Sequence, residues 1–283
     1  MTSPTGQSPL AIAETLLAVA TDAGALALKW FRPGERTSAH TDYKPGGSPV
    51  TEADFAVDAF LRERLVALFP HAGWLSEETA DSGERLSRED VIVVDPIDGT
   101  RGFASGDLRW SVSVALVRAG RPLAGAIVAP ASSAHYFAAL GEGAWLNGAR
   151  LAPRPDARLA GGKIAGPQPS SARIASALDM ALTPKIPSLA VRFAQVADGA
   201  LDAALSSANS HDWDIAAADL ILHEAGAKLT DFHGRAPIYN RSDLRHGALA
   251  AAPAATHPEL IAALARAQQQ ETPASHHSHK AHT

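Results

Sequence analysis

Val91-Ile92-Val93-Val94-Asp95-Pro96-Ile97-Asp98-Gly99-Thr100 runs from four β-branched residues into two carboxylates set three positions apart. A short apolar run bounded by polar sequence reads as a buried strand. At its end stand Asp95 and Asp98, a proline that stiffens the turn, a glycine and a hydroxyl. Like charges held together at a buried strand end repel, and a bound cation removes that cost. Hard divalent cations such as Mg²⁺ take oxygen ligands, commonly one or two carboxylates together with a substrate phosphate. One turn is therefore expected to carry a metal site and a phosphate site.

The rest of the chain bounds this reading. It has 283 residues, 46% of them hydrophobic, enough for one large core or two joined halves. The net charge is −5, with no basic cluster, so a nucleic-acid polymer is not an expected partner. The absence of cysteine excludes disulfides, thiolate metal sites and a cysteine nucleophile, and fits a cytoplasmic setting. No secretory leader or integral membrane segment is expected. Leu10 to Trp30 is interrupted by Glu14, Asp22 and Lys29, and reads as an amphipathic helix on a soluble body.

Residues 1–8 are expected to be a flexible start, and the His-rich stretch 269–283 a disordered tail. Thr51 is a candidate N-cap for a helix with an apolar side of Phe55, Ala59, Leu61, Leu65 and Leu68. Gly73-Trp74-Leu75, Trp110 to Val117, Pro122 to Ala129 and Tyr136 to Leu140 read as strands, mostly antiparallel. After Arg154 come short strand candidates at Lys163–Ala165, Leu201–Leu205 and Ala227–Thr230. Helices are expected at Leu189–Ala197 and Trp213–Ala225. The expected organisation is an α+β half over 9–150 and an α/β half over 151–268.

Four acidic segments stand apart: Asp54, Glu77-Glu78, Asp95/Asp98 and Asp212-Trp213-Asp214. Asp54 alone reads as a first-turn helix acid and Glu77-Glu78 as a solvated loop. Asp212 or Asp214 reads equally as a cap for the alanine-rich helix that follows. Together they can converge on two or three Mg²⁺ ions that polarise a phosphate and activate a water. Gly99 and Thr100 would open a short helix whose amides face an anion, with Thr100 placed to orient the water. The reaction implied is phosphomonoester hydrolysis by direct water attack.

These segments resemble the inositol monophosphatase superfamily of Mg²⁺-dependent, lithium-sensitive phosphatases. The likeness rests on Glu77-Glu78, on Asp95 to Thr100, and on Trp213-Asp214-Ile215-Ala216-Ala217-Ala218-Asp219 followed by Glu224-Ala225-Gly226-Ala227. It runs from about residue 10 to 265. The resemblance implies a layered αβαβα fold. It implies metal ligation by Glu77, Asp95, Asp98, Asp214 and the Ile97 carbonyl, with Mn²⁺ as an alternative ion. Asp54 would hold a third metal or its waters and pair with Thr100, while Glu77 and Thr100 would activate the water. Gly99 and Thr100, with Asp98 and Asp214, would meet the substrate phosphate. A homodimer is common in such a family.

Within the superfamily, Arg101-Gly102-Phe103 and Ser188-Leu189-Ala190-Val191-Arg192-Phe193 are most similar to the CysQ-type 3′(2′),5′-bisphosphate nucleotidases. Arg192 would then hold a second phosphate, since guanidinium binds phosphate through two bonds. Its alternative is a surface charge on an amphipathic helix. The substrate expected on this reading is adenosine 3′,5′-bisphosphate or its sulfated relative, in sulfur assimilation. An inositol-1-monophosphatase or broad sugar-phosphate phosphatase is the alternative of the same class, and a non-catalytic regulatory binding protein that of another. Lys44, in the loop before Asp54 that also carries Gly46 and Gly47, is a candidate lid residue or part of an ordinary flexible surface loop.

Overall fold

The computed structural model describes residues 7–271. From the N-terminus the elements are α1 (Pro9–Ala27), β1 (Thr41–Tyr43), β2 (Pro49–Thr51), α2 (Glu52–Leu68), β3 (Gly73–Ser76), β4 (Asp90–Asp98) and α3 (Thr100–Ser105). Then follow β5 (Ser111–Arg118), β6 (Arg121–Ala129), β7 (Ala134–Ala139), β8 (Gly143–Leu146) and β9 (Ala149–Arg150). The remaining chain forms β10 (Lys163–Ala165), α4 (Ser170–Ala177), β11 (Ala181–Leu182), α5 (Leu189–Ala197), β12 (Ala203–Leu205) and β13 (Ser210–His211). It ends with α6 (Asp212–Glu224), β14 (Ala227–Asp231), β15 (Arg245–His246), β16 (Leu249–Pro253) and α7 (His257–Glu271).

Seven strands lie in the order β3-β4-β5-β6-β7-β8-β9, with β3 and β4 parallel and every other pair antiparallel. A second sheet has the order β11-β10-β12-β16-β14, parallel up to β12 and antiparallel beyond it. Side chains alternate across each sheet and so assign the layers. Ile92, Val94, Val114 and Leu116 pack beneath α1 and α2, whereas Val91, Val93, Ala115 and Val117 face α5 and α6. The inner helices meet Ala204 and Ala251 of the second sheet, whose opposite face, Ile164, Ala203 and Ala250, is covered by α4 and α7. The result is the layered αβαβα arrangement. Both faces of the large sheet are buried, which is why its strands read as nearly continuous apolar runs.

Helix α1 has the length and mean hydropathy, 19 residues and 1.5, of a membrane span. It buries Ile12, Leu16, Val19, Ala20 and Ala23 on one side, the pattern of a core helix. Ser8 closes its N-terminus by accepting from the Ala11 amide at 3.2 Å. Residues 1–6 of the expected flexible start lie outside the described residues. At the other end α7 runs to Glu271, so 269–271 are helical rather than part of a tail. Residues 272–283 lie outside the described residues.

Helix α6 carries Ala216, Ala217 and Ala218 because space between the sheets is scarce. A Cβ at Gly125 of β6 would stand 3.0 Å from the Ala217 Cα. Helix and strand thus meet almost backbone to backbone, and this fixes where the first turn of α6 ends up.

Candidate metal and phosphate site

In a regular strand, residues three apart point to opposite faces. β4 escapes this rule. Asp95 pairs with Ser113 and Asp98 with Ser111, so the register shifts by one residue between them. The bulge turns both carboxylates toward the same side. Asp214, in the first turn of α6, completes the group: ligand oxygens of Asp95, Asp98 and Asp214 lie within 4.8 Å of one another. Asp214 is oriented by the His211 amide, which donates to its Oδ2 at 2.6 Å.

Asp98 is held from the other side by α5. Ser188 Oγ and the Ala190 amide each donate to Asp98 Oδ2 at 2.6 Å, and the Leu189 amide reaches Oδ1 at 3.2 Å. Ser188 also caps α5, accepting from the Val191 amide at 3.0 Å. Gly99 permits this approach. Its φ is 89°, and a Cβ there would sit 2.9 Å from the Ser188 nitrogen.

On α2, Asp54 Oδ2 accepts from the Thr51 amide at 2.8 Å and from the Thr51 hydroxyl at 2.6 Å. Its Oδ1 faces Thr100 Oγ1 at 3.0 Å, and that hydroxyl also lies 2.9 Å from the Ile97 carbonyl. A threonine has one proton to give, so it serves one acceptor at a time. Asp54 is therefore both a helix-start acid and the partner of Thr100.

Glu77 and Glu78 follow β3. Asp58 of α2 brackets them, accepting from Ser76 Oγ and from Thr79 Oγ1. Lys44, in the β1–β2 hairpin, places its Nζ 2.8 Å from both Glu77 Oε1 and Glu78 Oε1. Partial burial works against the lysine charge, yet the two glutamates hold its pKa above the ordinary value. Here Lys44 is docked on the acidic loop.

The charges of this centre are under stress. Burial, then Glu77, Asp98 and Asp214, push the Asp95 carboxyl well above its usual range. Burial and Asp98 do the same to Asp214. Burial raises Asp98 to about 6 against its three bonds to α5, and Asp54 to about 6 against Thr51 and Thr100. Burial also lifts Glu78 to about 7 against the Lys44 ammonium. Asp95 Oδ1 is buried with no hydrogen-bond partner among the described residues. An orphaned carboxylate oxygen amid like charges fits a cation, and an all-oxygen donor set favours Mg²⁺ or another hard ion over soft metals. Asp95, Asp98 and Asp214 can hold one divalent ion.

A pH dependence follows. Asp54 and Asp98 are raised above 3.8, so the folded, metal-free protein binds more protons than the unfolded chain between about pH 4 and 6. Their contribution to stability is full below about pH 4 and lost as pH rises through 6. In EDTA the thermal midpoint is expected to fall between pH 5 and pH 7.5 through these groups. Added Mg²⁺ should raise it more at pH 7.5, where no proton competes for the carboxylates. A Mg²⁺ shift that is larger at pH 5 would contradict this charge balance.

Beside the acidic group opens a pocket of about 270 Å³, lined by Asp98, Pro187, Leu189, Arg192, Ser206, Ser207, Ala208, Asn209, Ser210 and Asp214. Arg192 is among the lining residues and is partly committed. NH1 donates to the Leu205 carbonyl at 3.0 Å and NH2 to the Ile186 carbonyl at 2.7 Å, while Nε is buried without a partner among the described residues. Burial lowers its pKa against the pull of Asp98. Arg101 does not line the pocket. It is exposed, with NH2 3.3 Å from the Gly47 carbonyl.

Asp54, Asp95, Ile97, Asp98, Gly99, Thr100 and Asp214 thus come together, with Glu77 joined through the charges it exerts on Asp54, Asp95 and Asp98. Two supports escaped sequence reasoning. One is Ser188, recognisable as a helix cap but not as a donor to Asp98. The other is the role of buried Asp212, read from the sequence only within an acidic segment or as a cap: it accepts from the Asn240 amide at 2.7 Å and lies 2.7 Å from His246 Nε2. Asn240 Oδ1 in turn accepts from buried Arg85 NH1 at 2.6 Å, and Arg85 grips Asp81. This chain ties the loop after Glu78 to the start of α6.

Residues 10–271 match the model of the inositol monophosphatase family. The histidinol-phosphatase of Mycobacterium tuberculosis is 34% identical over 68% of this chain and 78% of its own length. The 3′(2′),5′-bisphosphate nucleotidase CysQ of Haemophilus influenzae is 30% identical over 72% and 80% respectively. Among solved structures, the extragenic suppressor protein SuhB of Bartonella henselae superposes with a TM-score of 0.78 at 26% identity, covering 90% of this chain and 98% of its own. These relatives carry different substrate names. The chain belongs to the inositol monophosphatase family and is a Mg²⁺-dependent phosphomonoesterase.

Proposed function

We propose that the protein hydrolyses the phosphomonoester of a small polyhydroxy compound, a cyclitol or sugar phosphate. The observation that carries this reading is the pocket beside Asp98 and Asp214. Its lining includes Ser206, Ser207, Asn209 and Ser210, residue types whose side chains can partner hydroxyl groups. None of its lining residues is aromatic, so no ring is offered there to stack on a base.

In this reading Asp95, Asp98, Asp214, Glu77 and the Ile97 carbonyl hold two or three Mg²⁺ ions. Bound there, Mg²⁺ neutralises phosphate charge and lowers the pKa of water. The chain's own groups do the rest. Asp54, charged above about pH 6, accepts the Thr100 proton and leaves the hydroxyl's lone pairs turned toward a water. Glu77 takes a proton from that water as its oxygen bonds to phosphorus, the ester P–O bond breaks, and the leaving alkoxide takes a proton from solvent. The Gly99 and Thr100 amides hold the phosphate oxygens, and the Ser206–Ser210 segment holds the alcohol that leaves.

A nucleoside bisphosphate is the second reading. It rests on Arg192, whose buried Nε is without a partner, and on the relatives named CysQ. Arg101 no longer supports it. The test is phosphate release with Mg²⁺ from inositol 1-phosphate, glucose 1-phosphate, histidinol phosphate and adenosine 3′,5′-bisphosphate. The polyol reading expects kcat/KM for a cyclitol or sugar ester at least about tenfold above the nucleotide, ~1.4 kcal/mol of discrimination. The opposite ratio would replace it with the nucleotide reading.

A further inference from the structure

Helix α2 carries two buried acids one turn apart, Asp54 and Asp58. Residues four apart share a helix face, separated by about 6 Å along the axis. Asp54 meets Thr100. Asp58 instead meets the chain on either side of Glu77-Glu78. Its Oδ1 accepts from Ser76 Oγ, and its Oδ2 from Thr79 Oγ1 at 2.8 Å. Ser76 Oγ accepts in turn from the Glu78 amide at 3.3 Å. Lys44 grips the two glutamate carboxylates, whereas Asp58 closes the turn that presents them.

β3 runs parallel to β4 as far as Ser76, which stands opposite Val94. The Glu77 amide still donates to the Val94 carbonyl at 3.2 Å, and there the ladder ends. Glu77 therefore leaves the sheet beside Asp95, and the bonds around Asp58 fix the path it takes. A buried carboxylate is a costly way to close a turn, and an apolar residue would pack this face of α2 at lower cost. What the acid supplies is geometry. Its two oxygens hold two hydroxyls at once, in one plane set by one side chain.

We propose that Asp58 is a positioning residue for the hydrolysis: by clasping Ser76 and Thr79 it sets Glu77 at the working distance from Thr100. Both groups that handle the water are then gauged from one helix, Thr100 through Asp54 and Glu77 through Asp58. The proposal rests on the reading in which Glu77 takes the water's proton and Thr100 orients it. A misplacement of about 1 Å at such a pair can cost about 10²-fold in rate.

Asp58→Ala in the full chain is expected to lower kcat by about 30-fold, with KM for the ester within about threefold. Calorimetry should show Mg²⁺ bound at least about threefold more weakly. Hydrogen exchange at the amides of 77–80 should quicken in the metal-free variant, while those of β5 and β6 keep their protection. Asp58→Asn keeps an acceptor for Ser76 and offers a donor to Thr79, so it should recover activity to within about fivefold of the parent. Thr79→Val, a smaller lesion that serves if the alanine variant does not fold, should cost about 3–10-fold in kcat. Normal kcat and Mg²⁺ affinity in Asp58→Ala or Thr79→Val, or an asparagine variant as poor as alanine, would overturn the proposal. Glu77→Gln tells this proposal from the reading beneath it. If that variant turns over normally, the role of Glu77 itself fails. If it is impaired while the Asp58 and Thr79 variants are normal, only the role of Asp58 fails.

Discussion

Asp95→Asn lowers kcat by about 10³-fold or more, ~4 kcal/mol of barrier, and at the same time makes the metal-free protein more stable. The two halves of this expectation share one cause. Asp95 is buried, its Oδ1 has no hydrogen-bond partner among the described residues, and four other carboxylates push its pKa upward after burial has done so. Charge in such a place serves a cation and harms the empty fold. Asparagine keeps the shape and removes the charge, which should return about 1–2 kcal/mol to the metal-free state at neutral pH. Calorimetry in EDTA reads the gain, about 2–4 °C per kcal/mol for a chain of this size. Steady-state phosphate release reads the loss, and Mg²⁺ should no longer raise the midpoint appreciably. If the variant turns over normally, or its metal-free midpoint drops, Asp95 is a structural acid and the assignment of the metal ligands is wrong.

Thr100→Ala is expected to reduce kcat by about 10²-fold to 10³-fold with KM little changed, the size of a lost proton-handling group. The hydroxyl stands between Asp54 Oδ1 and the Ile97 carbonyl. Without it Asp54 loses one of the bonds that oppose its burial, so its carboxyl climbs further above about 6. The acid limb of the residual activity should therefore move to higher pH. Thr100→Ser restores the hydroxyl and should recover activity to within about tenfold of the parent. A serine variant as poor as the alanine variant would mean that the methyl group's packing matters, not the hydroxyl.

Much of this centre is legible in the chain because charge in an apolar context is a loud signal. Asp95 and Asp98 after four β-branched residues could hardly be solvated, and the alanine-rich run through Ala216 to Ala218 reads as a helix. The bulge was not legible. Period-two reasoning sends Asp95 and Asp98 to opposite faces, and only the register against Ser113 and Ser111 reverses that. Nor was β16 visible, since Leu249-Ala250-Ala251-Ala252-Pro253 has little strand preference of its own. It is a strand because β12 and β14 flank it. The Asp212–His246 pair joins residues 34 positions apart, and no local pattern foretells such a meeting. Helix α7, absent from the expected elements, runs past 268 into the expected tail: Gln268 to Gln270 look like tail by composition, whereas helix formers of low hydrophobicity can extend a helix already anchored by Leu260 and Leu264.

The close passage of Gly125 against Ala217 has a consequence for how such a centre drifts over generations. The separation between Asp214 and the two β4 carboxylates depends on the thickness of an oily seam in which nothing is charged. One added methyl at Gly125 would meet the α6 backbone at 3.0 Å and lever the helix away. The electrostatics of the reaction are thus gauged by a missing side chain in the middle of the sheet. A lesion there would look catalytic in an assay, although no atom near the chemistry had been changed.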